Sequence, residues 1–227
     1  MAISVNLWYA LIALMPQPSS IAIRHEWQIA WTNPGFRRYL ISGIVLVATI
    51  LSIFPHFFHW VEERQGIVIN DPLMTVIPAH NVSVPLFIMI WTMSALAAIR
   101  AVQNPRILLV FIWSFLLLSV FRTLTITLVP LDPPVGLIGL SDPLSNFFYG
   151  HDRFVTKDLF FSGHTSSMFL LYFCLTGRGD RRAALLITFG VAFLLLVQHV
   201  HYTLDILGGF LFGWLSWWIG SRIVRNV

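Results

Sequence analysis

Two short polar stretches lie at the edges of long apolar runs, and each contains histidine. The first ends in Ser162-Gly163-His164-Thr165, and the second holds His201 and Asp205. Because His201 and Asp205 are four residues apart, they would share one face of a helix. A carboxylate in that position can fix the tautomer of an imidazole and stabilise its cation. Ionisable groups beside bilayer-spanning segments are costly, so the pattern predicts a functional site.

The first stretch also has the features of a helix start. Ser162 and Gly163 precede an apolar run through Leu171, and serine is a favoured N-cap residue. The backbone N–H groups and the positive dipole end of such a helix bind phosphate readily. We therefore expect Ser162 to cap the helix, with direct contact to phosphate as the alternative role of its hydroxyl.

Three stretches of the chain resemble motifs of one known family. They are Phe121–Thr125 with Pro130 and Pro133 following, Asp158–Thr165, and His199–Ile206. Their order and spacing are similar to those of the sphingomyelin synthase-like family, a branch of the type 2 phosphatidic acid phosphatase superfamily. The resemblance covers residues 40–223.

The chain also departs from this pattern. Thr156-Lys157 replaces a Cys-Gly of the family, and its early proline-rich motif is not clearly present. The phosphatase branch carries a Lys…Arg-Pro motif that is missing here, and Leu195 stands where that branch has an arginine. The departures from the phosphatase branch favour transfer over simple hydrolysis.

The resemblance implies a role for each polar residue of the site. His201 is expected to attack phosphorus and carry it as phosphohistidine, while Asp205 supports the developing cation. His164 is expected to be the general acid and then the general base. Arg122 suits a bidentate grip on phosphate, with snorkelling to the outer interface as the alternative. The full set of expected substrate-binding residues is Arg122, Asp158, Ser162, Gly163, Thr165 and Tyr202.

The composition places these residues in a membrane protein. The chain of 227 residues is 57% hydrophobic and 11% charged, with a mean hydropathy of +0.77. Soluble domains carry about 25% charged residues. Although the net charge is +4, there is one lysine and no basic run, which argues against a nucleic-acid partner. The single cysteine, Cys174, excludes a disulfide within the chain.

Apolar runs long enough to be membrane helices predict an all-α, polytopic bundle. The six expected spans lie near Leu40–Trp60, Val82–Ile99, Ile107–Val129, Ser162–Thr176, Ala183–Val200 and Thr203–Val224. Residues 40–227 are therefore expected to form one six-helix catalytic domain. Residues 1–39 are expected to be a cytoplasmic or interfacial segment, in which Ile21–Trp31 is amphipathic.

Arginine placement predicts the orientation in the membrane. One set of segments holds ten arginines and the other holds only Arg64, Arg153 and Lys157. The positive-inside rule then places both termini in the cytoplasm. Both histidine motifs would face the periplasmic, exoplasmic or lumenal side. Arg153 and Lys157 could steer anionic headgroups there, with solvated loop charge as the alternative.

These observations predict a lipid phosphotransferase that moves a phosphoryl headgroup from one lipid to another. A lipid phosphate phosphatase, with water as the acceptor, uses the same His/His/Asp set and is the first alternative. A non-catalytic transporter or scaffold is the second. We expect no cofactor and no metal, and His199 is out of helical phase with His201 for a shared metal site. Assembly into a homo-oligomer is left open.

Overall fold

The chain is all-helical wherever its structure is described. The computed structural model describes residues 19–140 and 155–227, so residues 1–18 of the predicted N-terminal segment and Arg153 lie outside the described residues. In these ranges the only β contact is an isolated bridge between Ile67 and Leu131. The described helices are α1 Ser20–Thr32, α2 Pro34–Glu63, α3 Pro72–Val76, α4 Ser83–Gln103, α5 Pro105–Leu128, α6 Gly163–Cys174, α7 Arg178–Val197 and α8 Thr203–Ile223.

Each of the six predicted spans coincides with one helix, which confirms the all-α class. The largest difference is at α2, which starts at Pro34 rather than near Leu40. Three helices, α2, α4 and α5, are long and apolar enough to cross a membrane by length and composition. They support an integral membrane protein. The six-span count stays a prediction, since α6 has only 12 residues and α7 begins with several charged residues.

Asparagine followed by proline sets two of the helix starts. Asn33 Oδ1 accepts a hydrogen bond from Gly35 N at 2.8 Å, and Pro34 is the first residue of α2. Asn104 Oδ1 accepts from Arg106 N at 2.9 Å ahead of α5. Asparagine caps exposed N–H groups, and proline is tolerated at the first helical position because its missing N–H has no helical partner.

Glycines on α8 let it approach its neighbours closely. A Cβ at Gly209 would lie 3.1 Å from Ser162 O, and one at Gly213 would lie 2.8 Å from Ser166 O. At Gly208 the nearest atom would be Phe161 Cβ at 2.9 Å. Glycine, which has no side chain, permits this close helix packing. It brings the start of α6 against the start of α8, so the two histidine motifs meet.

The α1 helix lies on the outside of the bundle, and none of its residues is buried. Ile21, Ile29 and Trp31 are exposed, while Trp27 Nε1 donates to Val102 O at 2.7 Å. That hydrogen bond attaches α1 to the C-terminal end of α4. The arrangement agrees with an interfacial segment at the end of the bundle opposite the histidines.

Candidate active site

A cavity of about 330 Å³ lies where α4, α5 and α6 meet the loops that precede α6 and α8. Its polar end contains Arg122, Asp158, His164 and His201, together with the backbone of Gly163. Its remaining wall is mainly apolar and includes Phe54, Ile90, Phe115, Leu118, Leu137, Leu140, Val155, Met168 and Val200. Five of the predicted site residues, which come from three separate motifs, therefore share one cavity.

His201 and Asp205 interact across the start of α8. His201 Nδ1 faces Asp205 Oδ2 at 3.4 Å, and His201 is only 3% exposed although it lines the cavity. The two residues do not share a helical face, because α8 begins at Thr203. His201 instead precedes the N-cap Tyr202, and Asp205 reaches back from the first turn. Helical spacing thus predicted the right pair through the wrong local structure.

Asp205 is fully buried and accepts hydrogen bonds from two backbone groups. Its Oδ2 accepts from Tyr202 N at 3.1 Å, and its Oδ1 accepts from Phe160 N at 3.2 Å. The backbone O of Asp205 accepts from Ser162 N at 2.9 Å. These bonds join the two motifs directly, so the position of the carboxylate is fixed before any ligand binds.

The predicted start of α6 and the cap at Ser162 are confirmed. Ser162 Oγ accepts from Thr165 N at 3.3 Å, and Gly163 is the first helical residue. This start places His164 in the first turn, on the cavity wall, with its ring edge-on to Phe87 at 6.4 Å between centroids. The positive end of the α6 dipole therefore faces the polar end of the cavity.

Arg122 is buried between the helices, with 8% of the residue exposed. Its Nη1 donates to Phe161 O at 2.6 Å, and its Nη2 forms an ion pair with Asp158 Oδ1. The guanidinium thus lies inside the bundle and lines the cavity, whereas snorkelling would carry it to the interface. Asp158 occupies part of the fork that a phosphate would use.

Gly163 is needed for this position of the guanidinium. A Cβ at residue 163 would lie 2.6 Å from both Cζ and Nη1 of Arg122. Any side chain here would require Arg122 to move. Gly163 therefore allows the arginine to lie directly against the start of α6.

Three of the predicted substrate-binding residues, Ser162, Thr165 and Tyr202, are not among the described residues that line the cavity. Thr165 follows His164, so the helical twist turns its side chain towards α8, where it is fully buried. The Tyr202 hydroxyl donates to Asp132 O at 2.9 Å and accepts from Ile69 N at 3.2 Å. Ser162 caps α6 as expected, and the Tyr202 hydroxyl joins two loops, while substrate binding by these three residues stays a prediction.

The loop before α6 is fixed by a carboxylate from α2. Glu62 accepts from Thr156 N at 2.6 Å, from Thr156 Oγ1 at 2.8 Å and from Lys157 N at 2.7 Å. Lys157 Nζ lies 2.8 Å from Asp132 Oδ1, and the hydrogen bond and charge of this ammonium hold the pKa of Asp132 below its ordinary value. Lys157 is therefore a structural partner rather than a solvated steering charge.

The turn before His201 connects the neighbouring loops. His199 has a φ of +54° and lies near two carbonyl oxygens, with Val135 O at 3.0 Å from Nδ1 and Ile77 O at 2.8 Å from Nε2. Gln198 is buried and donates to Ser83 Oγ at 2.7 Å. His199 thus supports the loops. Within the described ranges no group of three or more His, Cys, Asp or Glu is arranged to hold a metal.

Sequence reasoning missed Glu62 and three serines of the cavity wall, Ser94, Ser119 and Ser167. For two of the serines, the spacing in the sequence indicates the cavity. Ser119 lies three residues before Arg122 and Ser167 lies three residues after His164, so each shares a helical face with a functional side chain. Nothing of this kind indicates Glu62, because its partners are backbone groups distant in sequence.

Comparison with known proteins finds a family model that matches a segment containing part of this site. The model of the PAP2 superfamily C-terminal region matches residues 157–222. This segment contains Asp158, His164, His201 and Asp205, whereas Arg122 lies before it. No curated protein and no solved structure matches the chain. The match supports the type 2 phosphatidic acid phosphatase superfamily, and with it an enzyme of the lipid phosphatase or phosphotransferase type.

Proposed function

We propose that this chain is a membrane lipid phosphotransferase, similar to sphingomyelin synthase, that works through a phosphohistidine intermediate. The observation that carries the proposal is the grouping of His164, His201 and Arg122 around one cavity, with Asp205 buried behind His201. A donor phospholipid and a second lipid with a hydroxyl group are the proposed reactants. The proposed site faces the non-cytoplasmic side.

In the first step, Nε2 of His201 attacks phosphorus while Nδ1–H donates to Asp205. The bond from phosphorus to the oxygen of the departing lipid breaks, and His164 gives that oxygen its proton. Asp205 stabilises the positive charge that develops on the His201 ring. Because Asp205 is already held by the backbone N–H groups of Phe160 and Tyr202, it needs little rearrangement during the step.

In the second step, His164 takes the proton of the acceptor hydroxyl. The acceptor oxygen then attacks phosphorus, and the bond from phosphorus to His201 breaks. Arg122 and the positive end of α6 lie beside the cavity, where they would stabilise the negative charge on the phosphoryl oxygens. Binding of phosphate requires Arg122 to exchange its pairing with Asp158 for the ligand.

A phosphatase is the second candidate, because the family match reaches no finer than the superfamily and is equally compatible with hydrolysis. Water would then replace the lipid hydroxyl in the second step. Purified protein incubated with labelled phospholipid donors, with and without diacylglycerol or ceramide, separates the two. A new phospholipid that forms only with the lipid acceptor supports transfer, whereas release of a free headgroup phosphate or inorganic phosphate supports hydrolysis. Formation of neither product would contradict both and favour a non-catalytic role.

A further inference from the structure

Three serine hydroxyls line the cavity just beyond its polar end. Ser94 is on α4, Ser119 on α5 and Ser167 on α6. Ser119 is three residues from Arg122 and Ser167 is three residues from His164, so each lies about 4.5 Å along its helix from a polar-end residue. Because α5 and α6 run antiparallel, Ser119 and Ser167 both lie on the same side of the polar end, farther into the bundle.

These hydroxyls are available to a ligand. Some hydroxyls of the same helices donate to carbonyl groups one turn earlier, as Thr123 does to Ser119 O at 3.0 Å on α5 and Ser166 does to Gly163 O at 3.0 Å on α6. Ser94, Ser119 and Ser167 show no such side-chain hydrogen bond to any part of the chain that the structure describes. An unpaired hydroxyl in a mainly apolar wall is costly, so a hydrogen bond to an acceptor on the ligand would stabilise the complex.

An apolar groove of about 250 Å³ continues from this serine group, and Ser94 borders both spaces. It runs between α4, α5 and α6 towards their opposite ends. Its other lining residues are Ala97, Ala98, Ala101, Ile107, Leu108, Phe111, Leu171, Cys174 and Leu175. Along the bundle the polar end with its guanidinium and imidazole groups therefore comes first, the hydroxyl donors come next, and an apolar wall follows.

We propose that Ser94, Ser119 and Ser167 form a subsite for the carbonyl linkage of a lipid phosphate. The inference rests on the proposed function and narrows its substrate class to lipids with an ester or amide carbonyl next to the phosphate-bearing backbone. The serines donate hydrogen bonds to that carbonyl oxygen, and the groove takes the chain beyond it. An ether-linked lipid lacks the carbonyl and leaves the serine donors unpaired.

Binding to the full chain in detergent tests this subsite without requiring turnover. Native mass spectrometry would compare diester phosphatidic acid, its dialkyl ether analogue and ceramide 1-phosphate, which carries an amide. Wild type should bind an ester or amide lipid about tenfold more tightly than the ether, the effect of one or two hydrogen bonds. The triple variant Ser94→Ala, Ser119→Ala, Ser167→Ala should lose that preference and keep its affinity for the ether.

The matched control is the triple variant Ser42→Ala, Ser52→Ala, Ser221→Ala. These hydroxyls donate to their own helices and do not line the cavity or the groove, so the control should retain the wild-type preference. Preference for only the ester or only the amide lipid identifies which carbonyl the subsite reads. Equal wild-type affinity for all three lipids, a preference that survives the cavity variant, or binding of none would overturn the inference. Turnover of an ether-linked donor would still support the proposed phosphotransferase.

Discussion

In the proposed mechanism, His201 acts as a nucleophile only while Asp205 keeps the proton on Nδ1. The carboxylate is fully buried and lies 3.4 Å from that nitrogen. We predict that His201→Ala abolishes turnover and the trapped adduct. Asp205→Asn should slow turnover by about two to four orders of magnitude, because the amide cannot support the cation. Rapid quench and mass spectrometry of an acid-labile phosphohistidine peptide measure both effects.

The proposed role of His164 as general acid can be tested separately from that of His201 by changing the leaving group of the donor substrate. His164→Ala should slow adduct formation from a lipid donor, whose alkoxide would leave unprotonated, but much less from a donor with a good leaving group. Circular dichroism of each variant controls for folding. Turnover that survives His201→Ala, or phosphate found on His164, would show that the roles are wrongly assigned.

Arg122 should contribute through the geometry of its fork as well as its charge. Its two terminal nitrogens already donate to Phe161 O and to Asp158. Lysine offers a single ammonium and cannot reproduce this bidentate arrangement. Arg122→Lys should therefore lower kcat/KM by about 10- to 100-fold. Near-normal kinetics at normal expression would show that the guanidinium does not hold the phosphate.

Gly163→Ala should damage the site through Arg122. The added Cβ would fall 2.6 Å from Cζ of the buried guanidinium, whose partners leave it little room to move. A displacement of about 1 Å can cost about 100-fold in rate, so we expect a loss of that order. Gly179→Ala is the matched control, since a Cβ there meets nothing within 4 Å. An active Gly163→Ala enzyme would contradict the need for this close approach.

At the scale of elements, two helix starts build the site, and a loop carboxylate holds one of them. Asp71 Oδ2 accepts from Thr203 N at 2.6 Å, and its Oδ1 accepts from Thr203 Oγ1 at 3.0 Å. Burial raises the pKa of Asp71, but the bonds from Thr203 and Leu73 together lower it further, and the net pKa lies below its ordinary value. The ionised form is therefore the one that stabilises the start of α8.

Removing this carboxylate should destabilise the fold in a pH-dependent way. Asp71→Ala should lower the free energy of unfolding by about 1 kcal/mol at pH 7. A depressed folded pKa gives stability that is present above the unfolded value of about 3.9 and is lost as pH falls through the folded value. The difference from wild type should thus shrink below about pH 4 in thermal melts. A difference unchanged down to pH 3 would exclude this origin, and exposed Glu63→Ala serves as a control.

The helices were predictable because apolar runs and their Asn-Pro, Ser-Gly and Gly-rich borders are local features. The short turn at residues 198–202 was not, since a positive φ at His199 depends on carbonyl groups from two distant loops. The short helix α3 was not predicted either, because it also depends on a distant contact: its cap residue Asp71 accepts a hydrogen bond from Thr203 N. Local pattern determined which segments are helices, while long-range hydrogen bonds determined where α8 begins.

The residues of the site were likewise predictable only where the local sequence carries the information. His164, His201, Asp205 and Arg122 stand out because polar groups in apolar runs are conspicuous. The motifs did not predict that the side chains of Thr165 and Tyr202 lie outside the cavity lining, because a side chain's direction depends on packing that the motif does not contain. The role of Glu62 could not be predicted from the sequence, because it accepts hydrogen bonds from backbone N–H groups 94 and 95 residues away.

At the scale of the whole molecule, the two ends of the bundle differ in charge. The end with the polar cavity carries Arg64 and Lys157, which are engaged by neighbouring groups. The opposite end carries most of the arginines, and one of them, Arg100, forms a buried ion pair with Asp180 at 2.7 Å. An excess of arginine marks the cytoplasmic end of a membrane bundle. The cavity would then open on the non-cytoplasmic side.

Cysteine labelling tests this orientation in intact cells or sealed vesicles. In a Cys174→Ala background, which keeps the groove apolar, we predict that Val76→Cys reacts with an impermeant maleimide from outside. Val76 is 78% exposed at the end of α3, on the cavity side of the bundle. Gly179→Cys, at the arginine-rich end, should react only after permeabilisation. The reverse pattern would place the cavity in the cytoplasm, and lipid donors and acceptors would then have to be sought in the inner leaflet.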